Sequence, residues 1–590
     1  MVEGNKTGNH LDEASLLASA LSNTSIHDDK QHEALLDNML DNLMDSGTEE
    51  RGYHHNTLKQ VLLEPTEQDL DYLTDLLSTR IEQGRGETLF EIGIDEDGSS
   101  MKLTPTDYSK CIETITKVTD KLEADFANID DLDELDPTKE KSIEKTQEDI
   151  VAHLMIRKRP KSVEDLLEIR VAVVGNVDAG KSTMLGVLTK GVLDDGRGKA
   201  RVNLFRHKHE IESGRTSSVG GEILGFDSKS KPVMIHTSHS VKKASSWEDI
   251  AAKAAKVLSF VDLAGHEKYL KTTVFGMTGS APEFAMLMVG ANAGMIGMSK
   301  EHLGLALSLN IPVLVVITKI DRCPQHVLEK TTKELTSILK SKSCRKIPLF
   351  VDNNHDVVMT AQNFVSERLC PIFQVSNVTG QGLDLIRNFL NVLPSLTRYE
   401  TDQPFHYEIN ETYSVPFVGT VVSGVMKSGV IHIGDKVLLG PDHAGQFVTT
   451  TIKGIHRKRV SVPAARAGQS VTFALKNVRR NTIRKGQVLL AYDKDKPTFV
   501  PPTSKRFEAE VLVLYHSTTI KNKYQAMVHC GAVRQTARIL TTDKSVLRTG
   551  DRAKVEFEFV KNPEYLTVGT RLIFREGRTK GVGKITRLLT

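Results

Sequence analysis

Eight consecutive residues near position 180 have the types and spacing of a phosphate-binding loop. They follow the pattern G-x-x-x-x-G-K-S and are Gly175, Asn176, Val177, Asp178, Ala179, Gly180, Lys181 and Ser182, with Thr183 next. An apolar run precedes them and a helical pattern follows, so we expect backbone N–H groups to surround phosphates at a helix N-terminus. Lys181 would then reach the β- and γ-phosphates, and the Ser182 hydroxyl would ligate Mg²⁺. The alternative, a chance match in a turn, is disfavoured by the flanking strand and helix patterns.

A second element of this candidate site ends the apolar run 257–263. Asp262 lies near the end of that run, and Gly265 follows at the spacing D-x-x-G. A carboxylate at a strand end can hold Mg²⁺ through a water molecule, and a glycine lets the backbone approach the γ-phosphate. D-x-x-G alone is a common pattern. It gains weight here because it follows the phosphate-binding loop on a second predicted strand.

The residues after two further apolar runs predict guanine recognition. Thr318, Lys319 and Asp321 form T-K-x-D after the run 313–317. A carboxylate there can accept the two donors of the guanine edge while the lysine stem packs on the purine; adenine offers no matching donor pair. The strand at 372–375 ends in three residues whose backbone could contact guanine O6, namely Ser376, Asn377 and Val378. Order, spacing and strand ends together indicate a GTPase.

The elements around these motifs predict the domain organisation. Strand patterns alternate with helical ones over 151–398, which indicates an α/β GTP-binding domain with a doubly wound, mostly parallel sheet. From 399 onward, short β-rich runs with frequent turn glycines predict two small all-β barrels, over 399–498 and 499–590. Residues 1–150 are acidic, with amphipathic helical stretches at 33–44 and 69–81 and no clear strand pattern. We expect that region to be loosely helical and partly disordered.

Composition excludes several other classes of protein. No stretch has the roughly 20 consecutive apolar residues of a membrane-spanning helix, and the polar, acidic first residues show no secretory signal. The 5 cysteines lie singly, so a zinc ribbon or a disulfide framework is not expected, and reduced core thiols are. We therefore predict a cytoplasmic protein with no membrane partner, and a monomer.

The chain resembles the translational GTPases of the elongation factor Tu/1A type. Residues 175–183 resemble the family's G-H-V-D-x-G-K-S/T-T, residues 262–266 resemble its D-x-P-G-H, and the two β-rich segments resemble its second and third domains. Five further segments resemble a narrower branch of that family; they are 204–218, 262–276, 300–307, 524–530 and 571–579. The resemblance covers about residues 150–590 and lends little support to any assignment of the N-terminal region.

The resemblance implies further roles at the GTP/GDP site. Thr216 would be the threonine of switch I, which joins Ser182 and, through water, Asp262 around Mg²⁺ and orders its loop in the GTP state. His266 would position the attacking water, because phosphoryl transfer depends on orientation and electrostatics. Lys181, Thr216 and His266 are thus the candidate catalytic residues. Asp178 would ligate a monovalent cation beside the phosphates.

Three residues depart from the family pattern. Thr318 replaces the usual asparagine of N-K-x-D, which puts the contact to guanine N7 and the tether to the phosphate-binding loop in doubt. Asn176 replaces a histidine, with no evident consequence. Arg215 stands where the family has isoleucine, on the switch I side of the gate around His266. Either Arg215 changes how tightly the hydrophobic residues around His266 keep that histidine away from water, or it is simply an exposed loop arginine.

Charge distribution points to an RNA partner. The formal net charge of +2 combines the acidic segment 1–150 with a basic remainder, and basic residues outnumber acidic ones in both predicted barrels. Basic barrel surfaces suit RNA phosphates, and the densest basic points are 456–459, 479–480 and 484–485. We expect the acidic N-terminal region to bind a partner or to compete with RNA for the barrels.

The resemblance implies delivery of aminoacyl-tRNA to the ribosome, with GTP hydrolysis releasing the tRNA. Two alternatives remain open from the sequence. One is a GTP-switched adaptor that brings RNA-decay or ribosome-rescue proteins to a target without an aminoacyl group. The other is the GTPase subunit of a metabolic enzyme, which would have a fixed protein partner and no ribosome-stimulated turnover.

Overall fold

The computed structural model shows a small N-terminal α+β unit, an α/β domain and two β-barrels. It describes residues 57–95, 98–130, 150–202, 204–205, 207–233, 247–364, 368–396, 399–495, 500–514, 518–576 and 578–589. Within these residues, no helix is both long enough and apolar enough to cross a membrane. The five cysteines are free thiols, and Cys111, Cys370 and Cys530 are buried, as expected of core residues.

The N-terminal unit consists of three helices and a three-stranded antiparallel sheet in the order β1-β3-β2. The elements are α1 Leu58–Leu63, α2 Glu67–Gln83, β1 Glu87–Ile92, α3 Pro105–Lys121, β2 Ala124–Asn128 and β3 Ala152–Lys158. Each helix begins at a threonine whose hydroxyl accepts an N–H bond from the third helical residue; these threonines are Thr57, Thr66 and Thr104. Such capping boxes satisfy N–H groups that the helix itself leaves unpaired.

This unit corrects the expectation that the N-terminal region lacks strands. The helix predicted at 69–81 lies within α2, whereas the one predicted at 33–44 lies outside the described residues. The strands were missed because β1 and β2 are short and only part of each is buried. Strand β3 is buried along nearly its whole length and begins at Ala152, after the predicted boundary at position 150. The sheet of the N-terminal unit therefore extends beyond the predicted domain boundary.

The predicted doubly wound domain is confirmed. Its eight-stranded sheet has the order β10-β11-β9-β8-β4-β7-β5-β6, and all strands run in one direction except β5, which is antiparallel to both of its neighbours. The strands are β4 Leu167–Gly175, β5 Gly220–Phe226, β6 Pro232–Val233, β7 Lys256–Asp262, β8 Phe284–Gly290, β9 Val313–Thr318, β10 Ile347–Phe350 and β11 Leu369–Val375. The helices are α4 Lys181–Lys190, α5 Lys199–Val202, α6 Lys208–Ser213, α7 Trp247–Lys253, α8 Leu270–Gly279, α9 Met298–Ser308, α10 Gln325–Lys340, α11 Asn354–Asn363 and α12 Leu383–Val392.

Two apolar layers hold this sheet between helices. On β4, Val171 and Val173 pack in the layer that contains residues of α4, α11 and α12, while Ala172 and Val174 pack in the layer of α8, α9 and α10. The parallel strands end at one edge of the sheet, where ligands bind in such folds. The ends of β4, β7, β9 and β11 carry the four sequence motifs, so the topology alone brings them together.

The two predicted barrels are also present. The strands of the first barrel are β12 His406–Val415, β13 Gly419–Ser428, β15 Lys436–Gly440, β16 Val448–Arg457, β19 Ser470–Leu475 and β20 Val488–Ala491. Strand β17 Val460–Val462 pairs with β16 at its edge, and β14 Val430–His432 and β18 Ala464–Arg466 form a separate two-stranded sheet. Pairing of β15 with β16 closes the first barrel. The second contains β21 Arg506–Val513, β22 Gln525–Cys530, β23 Val533–Thr542, β24 Arg552–Phe559, β25 Arg571–Glu576 and β26 Arg578–Leu589. Pairing of β21 with β26 closes the second.

A buried ionic contact joins the first barrel to the GTP-binding domain. Glu168, at the start of β4, accepts a bond from Lys458 Nζ over 2.6 Å, and Arg457 Nη2 lies 3.8 Å from the same carboxylate. Burial would raise the pKa of Glu168, but Lys458 and Arg457 lower it to about 2. The basic point at 456–459 therefore contributes two of its cations to domain docking, which corrects their assignment to RNA.

A second buried ionic contact joins the N-terminal unit to the same edge of the sheet. Glu87 accepts bonds from Arg157 Nη2 over 2.7 Å and from Lys256 Nζ over 2.6 Å. Lys256 also donates to the carbonyl oxygens of Asn391 and Leu393. The described part of the acidic region is thus docked on the GTP-binding domain, which contradicts a role for that part as a mask over the barrels.

Glu87→Gln leaves Arg157 and Lys256 buried without a counter-charge. Removing one partner of a buried ion pair costs about 3–5 kcal/mol, so we expect the unfolding midpoint in denaturant to fall clearly. The matched control is Asp71→Asn, which removes a carboxylate that is 78% exposed and paired with Lys121 at the surface. Equal midpoints for the two variants would show that the buried contact does not hold the unit in place.

Candidate nucleotide-binding site

The phosphate-binding loop connects β4 to α4 and is held from outside by helix α9. The Gly175 N–H donates to His302 Nδ1 over 3.0 Å, and the Asn176 N–H donates to Ser299 Oγ over 3.1 Å. Burial lowers the pKa of His302 to about 3, with nearby Lys181 acting in the same direction, so the imidazole is neutral and accepts the bond. Sequence reasoning missed both residues, although a serine and a histidine three positions apart do share one face of a helix.

Lys181 lies inside the loop that it is expected to serve. Its Nζ donates to the carbonyl oxygens of Gly175 and Asn176, over 3.1 and 2.8 Å. Burial lowers the pKa of Lys181 to about 8, against the effect of the Asp262 and Asp178 carboxylates. A Cβ on Gly265 would lie 2.4 Å from Lys181 Nζ. The same Cβ would also lie 2.7 Å from the Gly175 carbonyl oxygen and 2.7 Å from the Asn176 carbonyl carbon. Because these are backbone atoms, only glycine allows the D-x-x-G segment to approach the loop so closely.

Three oxygen-bearing side chains converge beside Lys181. Ser182 Oγ donates to Asp262 Oδ2 over 2.7 Å and lies 2.8 Å from Thr216 Oγ1, which is 3.4 Å from the same carboxylate oxygen. The other oxygen, Asp262 Oδ1, is buried and has no hydrogen-bond partner among the described residues. Burial raises the pKa of Asp262. Hydroxyl and carboxylate oxygens are the ligands that Mg²⁺ prefers, so these residues fit that ion.

A buried glutamate fixes the segment that carries Thr216. Glu210, on α6, is 1% exposed. Its Oε1 accepts bonds from the N–H and hydroxyl of Ser217, both over 2.7 Å, and from the N–H of Ser218 over 3.2 Å. His209 Nε2 lies 2.8 Å from Ser217 Oγ. Sequence reasoning did not single out Glu210, because one glutamate in a charged run carries no signal of its own.

The T-K-x-D and S-N-V segments meet at the next strand ends. Ser376 Oγ donates to Asp321 Oδ1 over 2.7 Å and accepts the Val378 N–H over 3.2 Å. The backbone of Lys319 adopts a left-handed φ of 63°. The carboxylate expected to read guanine is therefore oriented by the serine of the neighbouring loop.

The structure answers the question that Thr318 raised about the tether. Thr318 is fully buried, and its hydroxyl donates to the Ala179 carbonyl oxygen over 2.9 Å. A threonine hydroxyl thus ties strand β9 to the phosphate-binding loop where the family has an asparagine side chain. The donor is therefore a hydroxyl in place of an amide, and the hydrogen bond between β9 and the phosphate-binding loop is kept.

The remaining candidates lie on the solvent side of the site. His266 is partly exposed and begins a short 3₁₀ turn, Glu267–Tyr269, with its Nδ1 accepting the Lys268 N–H over 3.1 Å. Arg215 and Asp178 are exposed, and Asp178 adopts a left-handed φ of 61°. Val177 and Gly180 belong to the phosphate-binding loop, and Thr183 lies in the first turn of α4. Gly180 has a φ of 83°, and a Cβ on it would lie 3.8 Å from Asn377 Nδ2.

This arrangement combines phosphate, metal and purine contacts at one sheet edge. Backbone N–H groups and Lys181 suit the phosphates, the oxygens of Ser182, Thr216 and Asp262 suit Mg²⁺, and Asp321 suits the guanine edge. Within the described residues, no group of three or more histidine, cysteine, aspartate or glutamate side chains could hold a metal. A cation bound through hydroxyls and one carboxylate is therefore the metal chemistry that the site supports.

Sequence comparisons agree with this chemistry. The family model of the elongation factor Tu GTP-binding domain matches residues 168–400, and that of elongation factor Tu domain 2 matches residues 419–490. GTP-binding protein 1 of Xenopus laevis is 52% identical over 533 residues, covering 90% of this chain and 78% of that protein. Human GTP-binding protein 2 is 41% identical over 537 residues, covering 90% and 86%. These relatives confirm the narrower branch that the five sequence segments indicated.

Solved structures with a similar fold come from translation factors. A bacterial selenocysteine-specific elongation factor aligns with a TM-score of 0.52 at 20% identity, over 71% of this chain and 58% of that one. Elongation factor SelB of Methanococcus maripaludis, bound to a GTP analogue, aligns with a TM-score of 0.50 at 20% identity, over 72% and 80%. At such identities the likeness concerns the fold alone.

Thr318→Val removes the hydroxyl tether while preserving the shape of the side chain. One neutral hydrogen bond contributes about 0.5–1.5 kcal/mol, so we expect the affinities for GTP and GDP to fall by about 2- to 12-fold in equilibrium titrations. Thr331→Val is the matched control, because it deletes a similar buried bond to the Ala291 carbonyl oxygen outside the phosphate-binding loop. Unchanged affinity in Thr318→Val would rule out the tether.

Proposed function

Because this chain belongs to the elongation factor Tu family of translational GTPases, we propose that it binds aminoacyl-tRNA in its GTP state and hydrolyses GTP on the ribosome. Binding and hydrolysis of GTP follow from the family itself. The tRNA and the ribosome are the proposed part. A cavity on the first barrel is the observation that carries the RNA assignment.

That cavity has a volume of about 520 Å³ and is lined by Thr412, Ser414, Arg480, Asn481 and Ile483. Hydroxyl, amide and guanidinium groups suit the sugar and phosphate of a single-stranded RNA end. The hairpin of β12 and β13 also presents Phe417, fully exposed, and Tyr413, 45% exposed. Exposed aromatic rings next to basic groups provide stacking surfaces for unpaired bases. Of the three dense basic points, 479–480 is the one that borders this cavity.

A second basic group lies where helix α8 meets the second barrel. Burial and the charges of Arg575, Arg534 and Lys271 lower the pKa of His529 to about 3. Arg534 is also the main cause of the lowered pKa of Lys271. Positive charges held together in this way favour an RNA phosphate. Lys271 is on the helix that follows the D-x-x-G segment, so we propose that the nucleotide state governs this contact.

For hydrolysis we assign a role to each group at the nucleotide site. Ser182 and Thr216 would hold Mg²⁺, with Asp262 contributing through water, and the ion would supply positive charge that neutralises the phosphates. Lys181 stabilises charge on the transferring phosphoryl group, and His266 orients the attacking water. Asp178 is proposed to hold a monovalent cation beside the phosphates. Release of Thr216 after hydrolysis would free switch I, which is how the nucleotide state would be read.

His266→Ala tests the proposed orientation of water. We expect GTP affinity to stay unchanged while single-turnover hydrolysis stimulated by ribosomes falls by about 100-fold or more, the range of a positioned catalytic group. Lys268→Ala is the control, since its side chain is exposed and lies outside the site. Normal stimulated turnover in His266→Ala would remove that residue from the mechanism. Absence of ribosome stimulation in the unchanged protein would instead favour a GTPase subunit with a fixed protein partner.

Filter binding with charged and uncharged tRNA distinguishes delivery from an adaptor role. Delivery predicts tighter binding of charged tRNA, with GTP and not with GDP, and Arg480→Ala should weaken it because it removes a cation from the cavity. Arg466→Ala removes the same charge from strand β18, away from the cavity lining, and should have little effect. Equal affinity for both tRNA forms would support the adaptor alternative, in which RNA-decay or ribosome-rescue proteins are the partners.

A further inference from the structure

The segment that follows the phosphate-binding helix α4 is attached to the loop that follows β11. The Asp194 N–H donates to the Asn377 carbonyl oxygen over 2.8 Å. The Asp194 carboxylate is buried; Oδ2 accepts the N–H groups of Gly196 and Gly198 over 3.0 and 3.1 Å, and Oδ1 accepts that of Ala200 over 3.0 Å. Both oxygens are thus used within the segment, and the backbone N–H is used between the two loops.

The loop on the other side of this contact orients the guanine-reading carboxylate of Asp321. Ser376 Oγ binds the Asp321 carboxylate and also accepts the N–H groups of Val378 and Thr379, over 3.2 and 3.1 Å. The Asn377 carbonyl lies within that turn and receives the bond from Asp194. A shift of the segment after α4 would therefore move the turn that orients Asp321.

Two exposed apolar side chains lie where the two loops meet. Leu193 is 46% exposed and Val378 is 37% exposed. A Cβ on Gly380 would lie 3.7 Å from the Leu193 methyl groups, and a Cβ on Gly196 would lie 3.9 Å from Val378 Cγ2. Exposed apolar groups next to a polar base-reading group suit the flat, apolar face of a purine.

The segment is also fixed to the phosphate-binding helix. A Cβ on Gly186 of α4 would lie 2.2 Å from the Ala200 carbonyl oxygen, so the two backbones are in direct contact. The start of switch I is thereby anchored at α4 and at the guanine loop. Asp194 joins the two anchors because its carboxylate holds Ala200 and its N–H holds Asn377.

We propose that Asp194 is a positioning residue for guanine recognition, which holds Leu193 and Val378 as an apolar wall of the base pocket. The inference rests on the proposed placement of guanine against Asp321. It adds that the pocket has a second side, supplied by the segment that leads into switch I. Occupation of the pocket by the base then stabilises the beginning of that segment directly.

The test compares two adjacent carboxylates. Asp194→Ala keeps the N–H that binds the Asn377 carbonyl oxygen but removes the carboxylate that fixes the turn presenting this N–H. Leu193 and Val378 then lose their fixed position, and the Kd for GDP and GTP should rise about tenfold or more, the range for a lost apolar contact in a binding site. Asp195→Ala is the matched control: Asp195 is exposed and also accepts backbone bonds, from the N–H groups of Arg197 and Lys199, but its carboxylate does not bind Ala200, the residue that contacts α4. It should leave both Kd values within about twofold. Leu193→Ala should repeat the loss, and Val192→Ala should not.

Competition by inorganic triphosphate separates the base pocket from the phosphate site. In Asp194→Ala, we expect its inhibition constant to remain unchanged, because it contacts only the phosphate-binding loop. An equal loss for triphosphate and GDP, or equal Kd values in the Asp194 and Asp195 variants, would overturn the inference. Asp321→Asn, measured in parallel, should shift preference from guanosine to xanthosine triphosphate. Failure of that shift would instead reject the proposed guanine placement.

Discussion

Strand β7 carries a buried charged residue at each end. Docking of the N-terminal unit depends on how the first charge is neutralised, and the nucleotide site depends on how the second is. Lys256 at its amino end is fully buried and binds Glu87 of the N-terminal unit. Asp262 at its carboxyl end is buried beside Ser182 and Thr216. A buried charge without a partner costs several kcal/mol. The same strand therefore requires a docked unit at one edge of the sheet and suits a cation at the other.

Neighbouring strand β4 follows the same division. Its second residue, Glu168, pairs with Lys458 and Arg457 of the first barrel. Its last residue, Gly175, is the first residue of the phosphate-binding loop. Arg170, two residues after Glu168 on the same strand, donates to the Gly468 carbonyl oxygen of that barrel over 2.7 Å. The amino edge of the sheet is thus a structural edge that assembles the domains. The carboxyl edge is left for the nucleotide.

The positions of motifs made of consecutive residues could be predicted from the sequence, whereas contacts between residues far apart in the chain could not. The loop around Lys181 and the T-K-x-D segment have fixed spacings, so their placement could be predicted. Glu87, Asp194 and Glu210 are single acidic residues whose partners lie elsewhere in the fold, and no local pattern separates them from surface charges. Arg457 was wrongly predicted to contact RNA, because a count of basic residues does not distinguish a buried guanidinium from an exposed one.

The contacts between the domains and the contacts of Thr216 differ in the free energy needed to break them. Separating Glu168 from Lys458 would leave buried charges unpaired, at a cost of about 3–5 kcal/mol. Thr216 is held by neutral or singly charged hydrogen bonds worth about 0.5–3 kcal/mol each, and the two serines after it are bonded to Glu210, with His209 also contacting Ser217. The contacts that hold Thr216 are therefore weaker than those that fix the first barrel and the N-terminal unit to the sheet.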